Sequence, residues 1–185
     1  MVKKIILLII ILCLAAGGFF YWQQNQTDVR ELNKTLPEGV RVVKSLFGDE
    51  YKVVNKIDNY EFKIPSKWEG IKEIEYIPER TEEKYIAASI GLEGNEGSGR
   101  IVAVDRFRLT IPASSLEEWA ETNFETFGLV ADFSKDMVGE LEIIRTQEFI
   151  MPIGYVYFFK KDFAVYAVTC GSEEFIRYII THGKW

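Results

Sequence analysis

Tyr155-Val156-Tyr157-Phe158-Phe159-Lys160-Lys161-Asp162-Phe163-Ala164-Val165-Tyr166-Ala167-Val168 is the stretch on which the fold turns. Its two arms are apolar at odd and even positions alike. Successive side chains of a strand point to opposite faces, so any sheet built on these arms has to be covered on both sides. The short polar connection, Lys160-Lys161-Asp162, makes the arms an antiparallel hairpin.

Working outward, alternating or β-rich runs predict further strands near Tyr51 to Asn55, Tyr60 to Ile64, Ile71 to Ile77, Tyr85 to Leu92, Arg100 to Ile111 and Leu141 to Phe149. Ile71-Lys72-Glu73-Ile74-Glu75-Tyr76-Ile77 mixes charge with apolar residues, as suits a sheet edge. Two helices supply the cover. Ser114-Ser115-Leu116-Glu117-Glu118 offers a capping box, after which Leu116, Trp119, Ala120, Phe124 and Phe127 recur at helical spacing up to Gly128. Ser172 caps a second helix, where Glu173 and Glu174 suit the positive end of the dipole and Phe175, Ile176, Ile179 and Ile180 form one apolar stripe. The expected fold class is α+β, an α/β/α sandwich with a central antiparallel sheet.

Ahead of this domain, residues from Ile5 to Trp22 carry no charge. As a helix rising about 1.5 Å per residue the run reaches ~27 Å, close to the ~30 Å of a hydrocarbon core. Lys3 and Lys4 bias the N-terminus to the cytoplasm, and Tyr21 and Trp22 suit the opposite headgroup layer. The expected organisation is a transmembrane signal-anchor over 1–22, a polar linker over 23–35 with a helical stretch near Val29 to Leu32, and an extracytoplasmic domain over 36–185 that begins at the turn Leu36-Pro37-Glu38-Gly39. A second reading takes Ala15, Ala16, Gly17 and Gly18 as a signal-peptidase site, which would leave Phe19, Phe20, Tyr21 and Trp22 at a wet mature terminus. A lipoprotein reading of Cys13 meets Leu12 where a small residue is needed.

Of the 22 basic residues, Lys3 and Lys4 precede the apolar run, leaving 20 against 28 acidic ones, a net charge of −8. Phosphate backbones are bound by clustered cations, so nucleic acid is excluded as a partner. Cys170 is the single thiol outside the apolar run, which rules out a disulfide within the domain.

Tyr60-Glu61-Phe62-Lys63-Ile64-Pro65-Ser66-Lys67-Trp68 resembles the opening strand and turn of the PsbP-like domains, whose namesake is an extrinsic subunit of photosystem II. The later order of hairpin strands, helix, three strands and closing helix is also similar, over roughly Tyr51 to Trp185. The resemblance implies a sandwich used mostly for docking onto protein partners. No metal-ligand motif of that family matches positions here, and the apparent anchor is a departure from the namesake.

The residues that carry chemistry elsewhere make no catalytic set here. His182 is the only histidine and falls in the last turn of the closing helix, where a helix-end cation is the ordinary role. Cys170 ends an apolar strand just before the Ser172 cap, the place of a small buried hydrophobe or of a dipole-activated thiol. Gly94, Gly97 and Gly99 lack the order, the Lys and the following Ser or Thr of a phosphate loop, and Glu93 and Glu96 repel phosphate. Glu79, Glu82 and Glu83 are interleaved with Arg80 and Lys84, lack cation-loop spacing and are expected to form a solvated loop. Trp68, Trp119 and Trp185 suit core packing better than a recognition surface, and Trp185 must either fold back or offer itself to a partner. Asn25-Gln26-Thr27 and Asn33-Lys34-Thr35 match the glycosylation pattern. No catalytic, metal, cofactor or partner-binding residue is assigned. The expected function is that of a single-pass, membrane-anchored, non-enzymatic binding or scaffold domain outside the cytoplasm, its partners the bilayer through the N-terminal helix and an unidentified protein. The alternatives are a hydrolase whose carboxylates the fold brings together, and a cleaved, secreted soluble domain.

Overall fold

A computed structural model describes residues 2–45, 50–64, 71–81, 86–94, 101–109, 115–123, 133–147 and 154–185. The elements run α1 (Val2–Asn25), α2 (Thr27–Lys34), β1 (Val40–Lys44), β2 (Tyr51–Asn55), β3 (Tyr60–Ile64), β4 (Ile71–Thr81), β5 (Ile86–Gly94), β6 (Ile101–Arg108), α3 (Leu116–Asn123), β7 (Ser134–Val138), β8 (Leu141–Gln147), β9 (Tyr155–Lys161), β10 (Ala164–Cys170) and α4 (Glu173–His182). The class is α+β. Two antiparallel sheets carry it, one of seven strands in the order β4-β5-β6-β10-β9-β8-β7 and one of three in the order β1-β2-β3.

β9 and β10 lie side by side inside the large sheet, with Tyr166 opposite Phe159 and Val168 opposite Tyr157. Both faces are buried, as their composition demands. Val156, Phe158, Val165 and Ala167 pack with Leu116, Trp119 and Ala120 of α3. Tyr157, Phe159, Tyr166 and Val168 face the other way, toward α4 and the small sheet. Lys160 and Lys161, expected in the connection, belong to β9, and the hairpin turn is Asp162-Phe163, with a φ of 53° at Asp162. Gly139-Glu140 joins β7 to β8 in the same two-residue manner, with a φ of 61° at Gly139.

The expected central antiparallel sheet is present, but it does not hold all the strands. β2 and β3 do not join it. Together with β1 they form the second sheet, which shares with α4 the task of covering one face of the first. Their burial alternates without a break: Tyr51, Val53, Tyr60, Phe62 and Ile64 point inward while Lys52, Glu61 and Lys63 are partly exposed. Strands with one wet face belong to an outer layer. β1 and β7 were not anticipated; β4 runs on to Thr81, past Pro78, with register shifts between Ile71 and Glu73 and between Ile77 and Arg80. Proline and irregular pairing mark an edge strand, and β4 is one. The helix expected to reach Phe127 is described over Leu116–Asn123; Phe124, Phe127, Gly128 and Ser114 lie outside the described residues, as do the strand ends at Tyr85, Arg100 and Phe149.

Both edges of the small sheet are closed. On β1, Asn33 of α2 plays the part of a neighbouring strand: its Nδ2 donates to the Val42 carbonyl at 2.9 Å and its Oδ1 accepts the Val42 N–H at 2.7 Å. Gln26 donates to the Lys44 carbonyl at 3.0 Å, and Val29, 2% exposed, joins the core. The stretch read as a polar linker therefore contains a docked helix. On β3, Lys184 exchanges both backbone hydrogen bonds with Glu61, at 2.7 and 2.9 Å. This single bridge turns Trp185 inward. Its ring lies parallel to Phe62, with centroids 6.2 Å apart and 5° between planes, and meets Phe159 edge-on at 5.0 Å, while Nε1 donates to the Ile180 carbonyl at 3.0 Å.

The expected span from Ile5 to Trp22 lies wholly within α1, a helix of 24 residues. From Ile9 to Gln23 every residue is exposed around the whole circumference. The side chains at 5 and 8 lie outside the description; among the described residues no helix is long and apolar enough to cross a membrane.

A Cβ built on Gly183 would sit 2.5 Å from the Trp185 ring. Gly183→Ala therefore expels the indole, and both this variant and Trp185→Ala lose ~3 kcal/mol of unfolding free energy in denaturant titration, the scale of deleting a large aromatic from a core. A loss below ~1 kcal/mol for both would show that the tail is not part of the core.

Candidate functional site

A groove of about 440 Å³ opens between α2 and β4, lined by Glu31, Leu32 and Thr35 on one side and by Lys72, Glu73, Ile74, Glu75 and Tyr76 on the other. That volume falls within the ~300–1,000 Å³ of small-ligand clefts, but the wall is polar and largely open to solvent. Five consecutive residues of a strand line it. Alternate residues point to opposite faces, so the groove follows the strand's edge and not one of its surfaces.

Behind the groove sits a buried polar cluster that no sequence motif announced. The β2–β3 turn ends on Asn59, held at a φ of 59°, and buries Asp58, whose side chain is 2% exposed. Asn55 clasps it twice: Nδ2 donates to the Asp58 carboxylate at 2.7 Å and Oδ1 accepts the Asp58 N–H at 3.0 Å. Tyr76, from the groove floor, donates its hydroxyl to the same carboxylate at 3.2 Å, and Arg106 of β6 approaches to 3.6 Å. Arg106 also lies 3.6 Å from Glu79, which pairs with Arg108 at 3.2 Å. Burial, reinforced by the Asp58 charge, pushes the Tyr76 phenol up to about 12. Burial likewise raises Tyr60, whose hydroxyl, with Arg106 Nε, is buried without a partner among the described residues. A carboxylate hidden in this way needs every one of its partners. The cluster is structural bracing: it pins Tyr76 in place and thereby shapes the groove.

The residues singled out in the sequence scatter. His182 is exposed at the end of α4, stacked on Tyr178 at 4.0 Å with Nδ1 against the Tyr178 carbonyl at 2.9 Å. Tyr178 in turn donates to Glu50 at 2.5 Å, which holds the Glu50 carboxyl below its usual range, with Lys63 adding to the effect. Cys170 is buried, 1% exposed, beyond the opposite end of α4. A helix of ten residues separates it from His182, about 15 Å, too far for a thiol–imidazole pair. Trp119 packs between Phe107 and Phe158, at 5.3 and 5.6 Å. Gly94 closes β5 and is buried. Glu79 and Arg80 belong to β4 and not to a solvated loop, as Glu79's two arginine partners show. Trp68, Gly97, Gly99, Glu82, Glu83, Lys84 and Glu96 lie outside the described residues. Asn33, the acceptor of one glycosylation pattern, has its amide committed to Val42. No three potential metal ligands gather among the described residues. Nor do these residues assemble a catalytic set.

No protein-family model, curated protein or solved structure matches the chain.

Asp58→Ala strands the Tyr76 hydroxyl, the Asn55 amide and Arg106 together, and costs ~3 kcal/mol or more in denaturant unfolding, whereas Asp58→Asn costs less. In an alkaline spectrophotometric titration the variant's Tyr76 ionises below the wild-type value of about 12. The sign follows from the protonated phenol being the favoured folded form. Its stabilisation is complete below the unfolded value near 10 and is lost as pH rises through about 12.

Proposed function

We propose that this chain is a single-pass, membrane-anchored, non-enzymatic docking domain, held outside the cytoplasm, whose partner is a protein. The observation that carries this reading is the surface of α1. A helix apolar on all sides needs either a protein interior or a bilayer, and α1 has no such interior: Leu14, Phe19 and Phe20 are 71%, 58% and 69% exposed. The described stretch of side chains, 9–23, is by itself short of a bilayer, but the whole uncharged run from Ile5 to Trp22 matches hydrocarbon thickness. Lys3 and Lys4 before it favour a cytoplasmic N-terminus, which puts the acidic domain on the far side. A groove along an open strand edge suits a protein partner better than a small substrate. Kinship with the PsbP-like domains is part of the proposal. Of the motif that suggests it, Tyr60–Ile64 forms β3, and Pro65 to Trp68 lie outside the described residues.

The anchor is tested by flotation. The full chain rises with liposomes and resists extraction by salt and alkaline carbonate; Ile10→Arg with Leu14→Arg, each costing ~2.5–3.5 kcal/mol at a helix centre, releases it. N-terminal sequencing of membrane-bound material shows the run from Ile5 to Trp22 retained and not cleaved after Ala16 to Gly18, and protease added outside the cell removes the domain. A chain recovered intact from the soluble fraction would sink the proposal.

A further inference from the structure

We infer that the groove between α2 and β4 takes an extended, Lys- or Arg-bearing segment of the partner, added to β4 as one more strand. This inference rests on the docking function proposed above and names the chemistry of what docks.

Hydrogen-bonding capacity is the first ground. β4 ends the seven-strand order, and among the described residues nothing pairs with its outer edge. An open edge offers backbone donors and acceptors at strand spacing to any extended chain that fits beside it. The small sheet is treated differently: Asn33 closes β1 and Lys184 closes β3. Along β4 runs the groove lined by Lys72 to Tyr76.

The second ground is length. Register shifts between Ile71 and Glu73 and between Ile77 and Arg80 bound the regular part of the edge, and Pro78 has no N–H to give. Glu73 to Ile77 remains, about 17 Å of ladder. A partner strand of about five residues fits this stretch, and the irregular ends stop pairing from spreading into aggregation.

Charge identifies the occupant. Glu73 and Glu75 are exposed and have no ion-pair partner among the described residues. Glu31, on the opposite wall, shares only a surface pair with Lys34, and the single lining cation, Lys72, leans 3.7 Å from Glu93. Carboxylates on both walls favour cationic side chains, while Ile74 and the pinned Tyr76 give alternate residues an apolar floor. Two copies of this chain laid edge to edge would set Glu73 and Glu75 against each other, which disfavours self-pairing. The helical ladder continues from α1 into α2 through Gln26, whose N–H bonds the Trp22 carbonyl at 3.1 Å and whose carbonyl accepts the Arg30 N–H at 3.0 Å. Glu31 therefore stands about 13 Å along the helix from the end of the apolar run. The segment that docks here runs close to the headgroups, as the flank of another membrane protein does.

The test uses the full chain in detergent micelles and a fluorescent peptide of about ten residues alternating Lys and Val, a length that covers the regular edge. At low salt this peptide binds roughly ten-fold more tightly than its Glu/Val counterpart and than the pair Glu73→Lys with Glu75→Lys allows, and the preference shrinks as salt is added. Glu140→Lys with Glu142→Lys, at the far side of the sheet, leaves the preference unchanged. Hydrogen exchange at β4 amides slows when the peptide is present, a readout that does not depend on any variant folding. Equal binding of the two peptides, indifference to the Glu73 and Glu75 reversals, unaltered β4 exchange, or a β4-to-β4 dimer would each overturn the inference. Since detergent replaces the bilayer here, a negative result leaves flotation untouched, and failed flotation leaves the peptide result standing.

Discussion

One constraint governs the rest: β9 and β10 are apolar on both faces, and no sheet containing them is stable until both faces are dry. Each side chain of the hairpin commits a covering element. Val156, Phe158, Val165 and Ala167 require α3; Tyr157, Phe159, Tyr166 and Val168 require α4 and a second layer. α4 is too narrow for a seven-strand face, and β1–β3 complete the roof. The C-terminal tail locks the roof down, because Lys184 pairs with β3 and Trp185 joins the aromatic cluster beneath it.

A roof made from a sheet carries edges, and edges invite unwanted pairing. On β1 the neighbour is an asparagine amide, which reproduces the donor and acceptor of a strand without being one. On β3 it is a single bridged residue. Charge, proline and register shifts discipline β4, and on β7 Lys135 and Asp136 reach Glu117 and Arg177. The same grammar thus serves opposite ends: closure where the sheet must be sealed, and a short regular opening at Glu73 to Ile77.

Features that depend on one element's own pattern were legible in the sequence. The double-faced hairpin, the stripe of α4, the mixed edge strand and the class of the fold belong to this group. The division into two sheets was also written locally, in the strict alternation of Tyr51, Val53, Tyr60, Phe62 and Ile64, but the weight of the central hairpin led toward one sheet. Asp58 gave no local sign of burial, since an aspartate before Asn59 is the ordinary composition of a turn; only Tyr76 and Arg106, remote in sequence, make it a core residue. Trp185 carried half a signal. Its fate depended on Gly183 and on a bridge to Glu61 that no spacing rule encodes. The groove was hidden for the same reason, as its walls come from segments some forty residues apart.

The helix α2 does more than fill the space between an apolar segment and a sheet. A spacer of free coil would let the domain wander over a volume set by its contour length, diluting whatever it presents. Here Val29, Asn33 and Gln26 fasten the spacer to β1, while the ladder through Gln26 ties it to α1. On the anchoring proposed above, a domain mounted this way would keep a nearly constant height and bearing over the bilayer, and its encounters would become a lateral search in two dimensions with orientation settled before contact.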